Sequence, residues 1–363
     1  MRIMIVTDAW EPQVNGVVRT ISRTVAELRS MGHKVEMVTP ADGYYTVPLP
    51  TYSEIKLAIG ARADIEYRIE TFAPDAVHIA TEGSLGLTAR GICIENKFPF
   101  STSYHTQYPE YISARFPIPE AWGYAYVRWF HEISGRVMVA TESMRQTLEE
   151  RGFKNLAIWS RGVDTIEFNP DLRAENRGPF ERLPSPILAY VGRVSVEKNV
   201  EAFLKLKTKG TKVVIGDGPA RIELENKYKT AKFLGAKFGK ELATCYANAD
   251  VFVFPSMTDT FGLVILEAMA TGTPVAAFNA PGPKDIIPGS NAGVIGDDLA
   301  DNIEKCLELD RQIVREYALK FSWRSCAEQF LHNLDPLPAM GRTKIWRRVR
   351  NALSLKRKRR ILD

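Results

Sequence analysis

The chain has 363 residues, 45% of them hydrophobic, which is enough to bury a core in each of about two domains. It holds no apolar run of the ~18 residues needed to cross a bilayer, and its N-terminus reads as a strand rather than a signal sequence, so a cytoplasmic location is expected. The net charge of +5 is unevenly placed: residues 342–363 hold ten Lys or Arg and one acidic residue, a charge of +9 that leaves the remainder at −4, without a general signal for nucleic acid.

An apolar strand is expected over residues 2–8 and a helix over 16–31, closed by Gly32 and His33 before a strand at Lys34–Thr39. Further strands at Ala76–Ala80, Phe100–Tyr104, Arg136–Ala140 and Ala157–Trp159, with helical spacing between several of them, predict a parallel sheet in a first Rossmann-like domain, residues 1–172. Residues 173–186 are polar with three prolines and read as a linker. Strands at Ile187–Val191, Lys212–Ile215, Val251–Phe254 and Val275–Phe278 then alternate with helices in a second α/β domain, residues 187–335. Its last helix, near Trp323–Leu334, is able to pack back on the first domain, and residues 336–363 form a basic tail. Two such domains are expected to hold a ligand in a cleft at the carboxyl ends of both sheets, with functional groups on the loops after strands.

The first of these loops, Thr7 to Gly16, lacks Gly-x-Gly-x-x-Gly, which weighs against a nicotinamide or flavin dinucleotide; Gly16 either admits a phosphate to the helix amides or simply caps the helix. After the strand ending at Val191, Arg193 and Lys198 place two cations in one loop, a pattern suited to a diphosphate. Gly216-Asp217-Gly218-Pro219 reads as a tight turn lining the cleft, since the third glycine of a dinucleotide fingerprint is missing. From Thr260 to Pro283 the only ionisable side chain is Glu267, and a buried carboxylate costs several kcal/mol unless a polar partner such as sugar hydroxyls meets it. The amides of Gly262, Leu263 and Val264 open the same helix toward a phosphate, while Asp259 stands eight residues before Glu267 as a substrate contact or a helix cap. The cysteines Cys93, Cys245, Cys306 and Cys326 form no Cys-x-x-Cys pair and have no neighbouring histidine, so buried reduced thiols are expected. No metal-ligand cluster is evident.

Asp259…Glu267 resembles the Glu-x7-Glu motif of the retaining GT-B glycosyltransferases of family 4, and Pro255 to Pro274 follows that family's pattern throughout. Ordered matches at Gln13–Arg19, Tyr104–Tyr108, Arg161–Asp164, Val191–Arg193 and Phe233–Gly235 extend the resemblance over about residues 1 to 332. It implies a nucleotide-diphosphate sugar held mainly by the second domain, with Glu267 on the ribose, Arg193 and Lys198 on the diphosphate, Asp259 at the donor sugar and Gly16 approaching from the first domain. It also implies that His105 lies by the anomeric carbon. The family usually carries Glu where this chain has Asp259. Stabilisation of the departing diphosphate by Arg193, Lys198 and the helix amides would need no metal and no cofactor beyond the donor.

Residues 108–131 carry eight aromatic rings with Arg115 and Arg128 among them, a composition suited to an interfacial surface or to a plain core helix over Trp122–Phe130. The tail, 342–360, sets Ile345, Trp346, Val349, Ala352 and Leu353 at helical spacing among cations and reads as an anchor to an anionic membrane, with nucleic-acid binding or a solubilising disordered end as the alternatives. The combined expectation is a metal-independent hexosyltransferase, peripheral on the inner face of the cytoplasmic membrane. It would move glucose, glucuronate or mannose from a UDP-sugar or GDP-mannose to a lipid such as diacylglycerol. A soluble or polysaccharide-precursor acceptor, a sugar-nucleotide 2-epimerase and a non-catalytic sugar-nucleotide-binding protein are the alternatives.

Overall fold

A computed structural model describes residues 1–13, 15–49, 52–105, 109, 119–174, 178–259 and 261–337. The basic tail, 342–360, and residues 106–108 and 110–118 of the aromatic segment lie outside the described residues. The chain divides into two compact units: Met1–Ser160 with the chain from Ala327 onward, and Arg161–Cys326.

The first unit runs β1 (Arg2–Val6), α1 (Gly16–Ser30), β2 (Lys34–Val38), β3 (Tyr45–Leu49), β4 (Tyr52–Ile59), α2 (Arg62–Phe72), β5 (Ala76–Ile79), α3 (Ser84–Asn96), β6 (Phe100–Tyr104), α4 (Glu120–His131), β7 (Arg136–Val139), α5 (Glu142–Glu150) and β8 (Leu156–Ile158). Six of these strands form one parallel sheet in the order β2-β1-β5-β6-β7-β8, and β3 and β4 pair separately as an antiparallel hairpin. Central strands β5 and β6 are buried at every residue, as a sheet covered on both faces requires. Helix α1 buries Val18, Ile21, Val25 and Leu28, the spacing of one helical stripe against the sheet. Met4, Val6, Val77, Ile79, Leu85, Ile92 and Phe130 belong to one core cluster; Tyr104, Val127, Val139, Met144 and Leu148 belong to another.

The second unit runs β9 (Ile187–Val191), α6 (Val200–Lys205), β10 (Thr211–Ile215), α7 (Arg221–Lys227), β11 (Lys232–Gly235), α8 (Gly239–Asn248), β12 (Val251–Phe254), α9 (Leu263–Ala270), β13 (Val275–Ala277), α10 (Pro283–Ile286), β14 (Gly293–Ile295), α11 (Leu299–Cys306) and α12 (Arg311–Ala318). Its parallel sheet has the order β11-β10-β9-β12-β13-β14, so the topology reverses between β9 and β12, the place where doubly wound folds present their ligand loops. The final helix, α13 (Trp323–Asn333), begins within this unit and ends in the first, where Gln329 Oε1 accepts from the Ser160 amide and Asn333 donates to the Ile158 carbonyl.

The boundaries differ from the expected linker at 173–186. Arg173 donates to the carbonyls of Ala247 and Ala249 and pairs with Asp250, the Asn248 side chain bonds to Ala174 N and Leu172 O, and Phe180 is wholly buried. That stretch is therefore packed on the second unit, and the crossings fall at Ser160–Arg161 and Cys326–Ala327. All four cysteines are buried and none is joined in a disulfide. No helix among the described residues is long and apolar enough to cross a membrane.

Candidate active site

In the second unit the loops after β9 and β10 are laced together by backbone. Gly192 N donates to Ile215 O, Val194 N to Asp217 O, and Ala220 N to Val194 O. The approach is close enough to demand glycine: a Cβ at Gly216 would lie 1.8 Å from Gly192 O, and one at Gly218 would lie 2.4 Å from Val194 O. Gly216-Asp217-Gly218 thus braces the segment that carries Arg193, whose carbonyl accepts from the buried Tyr190 hydroxyl at 2.8 Å and whose own side chain is exposed. Burial raises the Tyr190 phenol well above its ordinary range, with Asp259 and Glu197 adding to it.

The turn after this segment, residues 195–199, is strapped to the loop following β12. Asn199 Nδ2 donates to Pro255 O at 3.2 Å, Thr258 Oγ1 donates to Glu197 O, and Lys198 Nζ forms an ion pair with Asp259. Two of the residues expected in catalysis, Lys198 and Asp259, are therefore brought into direct contact. In these two loops the hydroxyls of Ser195 and Ser256 are buried without a hydrogen-bond partner among the described residues.

Helix α9 (Leu263–Ala270) is entered through Gly262, whose left-handed backbone (φ 86°) turns the chain into the helix and which has no side chain of its own to cap that end. The positive end of its dipole lies at this glycine and favours an anion there. Glu267 lies one turn further in, 2% exposed, with Oε2 accepting from Tyr246 Oη at 3.1 Å. Tyr246 is itself wholly buried and packs edge-on against Phe168 and Phe252. The carboxylate expected from its apolar run to need a polar partner thus has a phenolic donor.

In the first unit the start of α1 is arranged differently. Gly16 is its exposed first residue, but Asn15 Oδ1 accepts from the amides of Val17 and Val18 at 3.0 Å each, so the cap takes up two donors that the sequence left open to a phosphate. Asp8, at the end of β1, accepts from the amides of Leu85 and Gly86 and the hydroxyls of Thr81 and Ser84, capping α3; a Cβ at Gly83 would lie 2.4 Å from its Cγ. Burial raises the Asp8 carboxyl above its ordinary range, against the lowering by those four donors.

His105 follows β6 and is partly buried, its Nε2 2.8 Å from Ser103 Oγ and its ring edge-on to Trp159 at 5.5 Å. Behind it His78 is enclosed between Ser101 and Ser103, and burial pulls its imidazole down to about 3. On the other face of the same strand Thr102 meets His131, which reaches Glu82 Oε1 at 3.1 Å. Sequence reading passed over Asp8, Tyr246 and these hydroxyls. The available signal was Ser101-Thr102-Ser103 inside a central strand, since buried hydroxyls in consecutive positions imply buried partners on both faces. Among the described residues no group of three or more His, Cys, Asp or Glu is placed to hold a metal ion.

Residues 14–167 match the family described as Glycosyltransferase Family 4, and residues 185–309 match Glycosyl transferases group 1. A GDP-mannose-dependent alpha-mannosyltransferase of Mycobacterium tuberculosis is 31% identical over 315 residues, covering 81% of this chain and 83% of the relative. The alpha-monoglucosyldiacylglycerol synthase of Streptococcus pneumoniae is 29% identical, covering 81% of this chain and 75% of the relative. Sucrose-phosphate synthase from Thermosynechococcus elongatus shares the fold with a TM-score of 0.73 at 19% identity, covering 91% of this chain and 97% of that structure.

Proposed function

The chain belongs to glycosyltransferase family 4 and has the GT-B fold; on that premise we propose that it moves a hexose from a nucleotide-diphosphate sugar to a lipid acceptor at a membrane surface, with retention at the anomeric carbon. The observation that carries this reading is the glycine-headed start of α9 one turn from the buried Glu267, with Asp259 of the preceding loop paired to Lys198 of the loop after β9. In the proposed complex the amides of Gly262, Leu263 and Val264 and the side chains of Arg193 and Lys198 receive the diphosphate, and Glu267 accepts hydroxyls of the ribose. Lys198 exchanges Asp259 for the phosphate, which releases the Asp259 carboxylate to the donor sugar. Bond breaking at the anomeric carbon leaves negative charge on the diphosphate, where two cations and a helix dipole stabilise it without a metal. The departing phosphate takes the acceptor's proton on the same face, and His105 is assigned to the reacting sugar by the family resemblance.

The relatives' names support a nucleotide-sugar donor and a glycerolipid acceptor. So does helix α4, which buries Tyr124, Val127 and Phe130 yet exposes Trp122 (72%), Tyr126 (42%) and Trp129 (47%). Arg90 stacks 4.1 Å from the centre of the Trp129 ring. Aromatic rings beside cations suit the headgroup region of a bilayer. The test incubates the purified full-length protein with UDP-glucose, UDP-glucuronate or GDP-mannose and membrane lipid extract. An α-linked glycolipid is expected from one donor; release of an epimer, or donor binding with no transfer to any lipid or soluble acceptor, overturns the reading.

A further inference from the structure

We propose that Tyr246 is a positioning residue that orients the Glu267 carboxylate toward the ribose, so that its phenol sets how strongly the protein prefers a nucleotide that carries its ribose hydroxyls. The inference rests on the assignment of Glu267 to the ribose and adds the residue that aims it.

Tyr246 and Glu267 lie on α8 and α9, the helices that precede and follow β12, and both side chains are enclosed, at 0% and 2% exposure. The Tyr246 ring packs edge-on to Phe168, with centroids 5.9 Å apart, and to Phe252 at 5.5 Å. A phenylalanine ring would supply the same packing. What the hydroxyl adds is a donor, and it meets Glu267 Oε2 at 3.1 Å. A glutamate rotates about several side-chain bonds, and the last of them, which sets the plane of the carboxylate, is only weakly restrained. A donor on one oxygen fixes that plane and with it the direction of the other oxygen.

The backbone on both sides of the contact is tied down by α12. Thr273 Oγ1 donates to the Tyr246 carbonyl at 2.7 Å and accepts from Arg311 at 2.9 Å. Arg311 also donates to the carbonyls of Ala247 and Ala249 at the end of α8 and of Thr271 at the end of α9. One turn further along α12, Arg315 donates to the carbonyls of Ala270, the last residue of α9, and of Phe168, whose ring backs Tyr246. Cations are favoured at helix carboxyl ends, and here they also join the two ends to one another. The approach of phenol to carboxylate is therefore set by helices locked together rather than by a loop, as a group that must aim another requires.

The experiment measures binding of UDP and GDP, and of their 2′,3′-dideoxy counterparts, to the full-length protein by calorimetry in the wild type, Tyr246→Phe and Glu267→Gln, with melting curves to confirm folding. The wild type is expected to bind the ribose form of its nucleotide roughly 10- to 100-fold more tightly than the dideoxy form, the scale of hydrogen bonds to a charged group. Glu267→Gln should lose most of that preference. Tyr246→Phe should reduce it roughly 5- to 10-fold by weakening the ribose form alone, with the dideoxy form within about twofold of wild type. In transfer assays the donor KM should rise by the same factor while kcat stays within about threefold, because the ribose contact is equal in ground and transition states. An undiminished preference in Tyr246→Phe, or equal weakening of both forms, overturns the proposal, the latter by showing a purely structural role. Should Tyr246→Phe fail to fold, Thr273→Val, which removes the tether and keeps the phenol, takes its place: a reduced preference supports the proposal and a wild-type preference overturns it. A preference that survives in Glu267→Gln removes the ribose assignment, and the proposal with it.

Discussion

Lys198 and Asp259 are 22% and 20% exposed, so solvent screens their ion pair and its net worth to stability is about 0–1 kcal/mol. Such a pair opens readily when a diphosphate competes for the ammonium. Lys198→Ala is accordingly expected to lower kcat by roughly 10²- to 10³-fold, as loss of one donor to a developing anion does, while urea stability moves by no more than about 1 kcal/mol. Retention of the full transfer rate would sink the assignment of Lys198 to the diphosphate. Glu267 belongs to a different regime, because its carboxylate is enclosed and depends on a donor. That a carboxylate at position 267 would be buried was legible from the apolar run around it. Its partner Tyr246 was not, since 21 residues separate them and nothing local to either names the other.

Elements differ in how plainly their sequences announce them. Strands β1, β9 and β12 are runs of mostly buried apolar residues and were readable; β11 and β14, the two edges of the second sheet, are short and only partly buried, so their hydrophobic signal is weak. The β3–β4 hairpin carries Pro48 and a register shift, which mask strand alternation. Helices α1 and α9 both open with a glycine at or just before their first residue, yet the Asn15 side chain caps one end while the N-cap of the other is Gly262, which has no side chain to do so. Glycine alone could not distinguish them. The loops after β9 and β10 make a sharper case, because the close approach of Gly216 to Gly192 involves backbone on both sides. Gly216→Ala is expected to cost about 1–3 kcal/mol by overpacking and, by displacing the Arg193 segment, to weaken UDP-glucose or GDP-mannose binding in calorimetry. Unchanged stability and binding would contradict the bracing role.

At the scale of the whole chain, the return of α13 closes the first unit: Phe330 lies 4.9 Å from the centre of the His78 ring, and the Leu337 amide donates to Asp75 O. Enclosure by Phe330, Trp159, Ser101 and Ser103 lowers the His78 pKa from 6.5 to about 3, with the charge of His131 contributing. Between those values the unfolded chain binds a proton that the folded ring refuses. The associated stability is whole above pH 6.5 and is lost as pH falls toward 3, on the order of 4 kcal/mol over the full window. Asp8 acts in the opposite sense, since its raised carboxyl pKa favours folding as pH falls. In urea titrations between pH 7 and pH 4.5, His78→Asn should therefore lose stability less steeply than the wild type; equal slopes would show that His78 does not titrate on unfolding. The sequence by itself determined the alternation of strands and helices, the burial of Glu267 and the ordered motifs of the family, because these depend on residue type and near-neighbour spacing. Only the tertiary structure decided that Lys198 meets Asp259, that Tyr246 serves Glu267 and that Ser103 joins His78 to His105. Those contacts depend on which strands lie side by side, and hydrogen-bond partners are chosen by distance in space rather than along the chain.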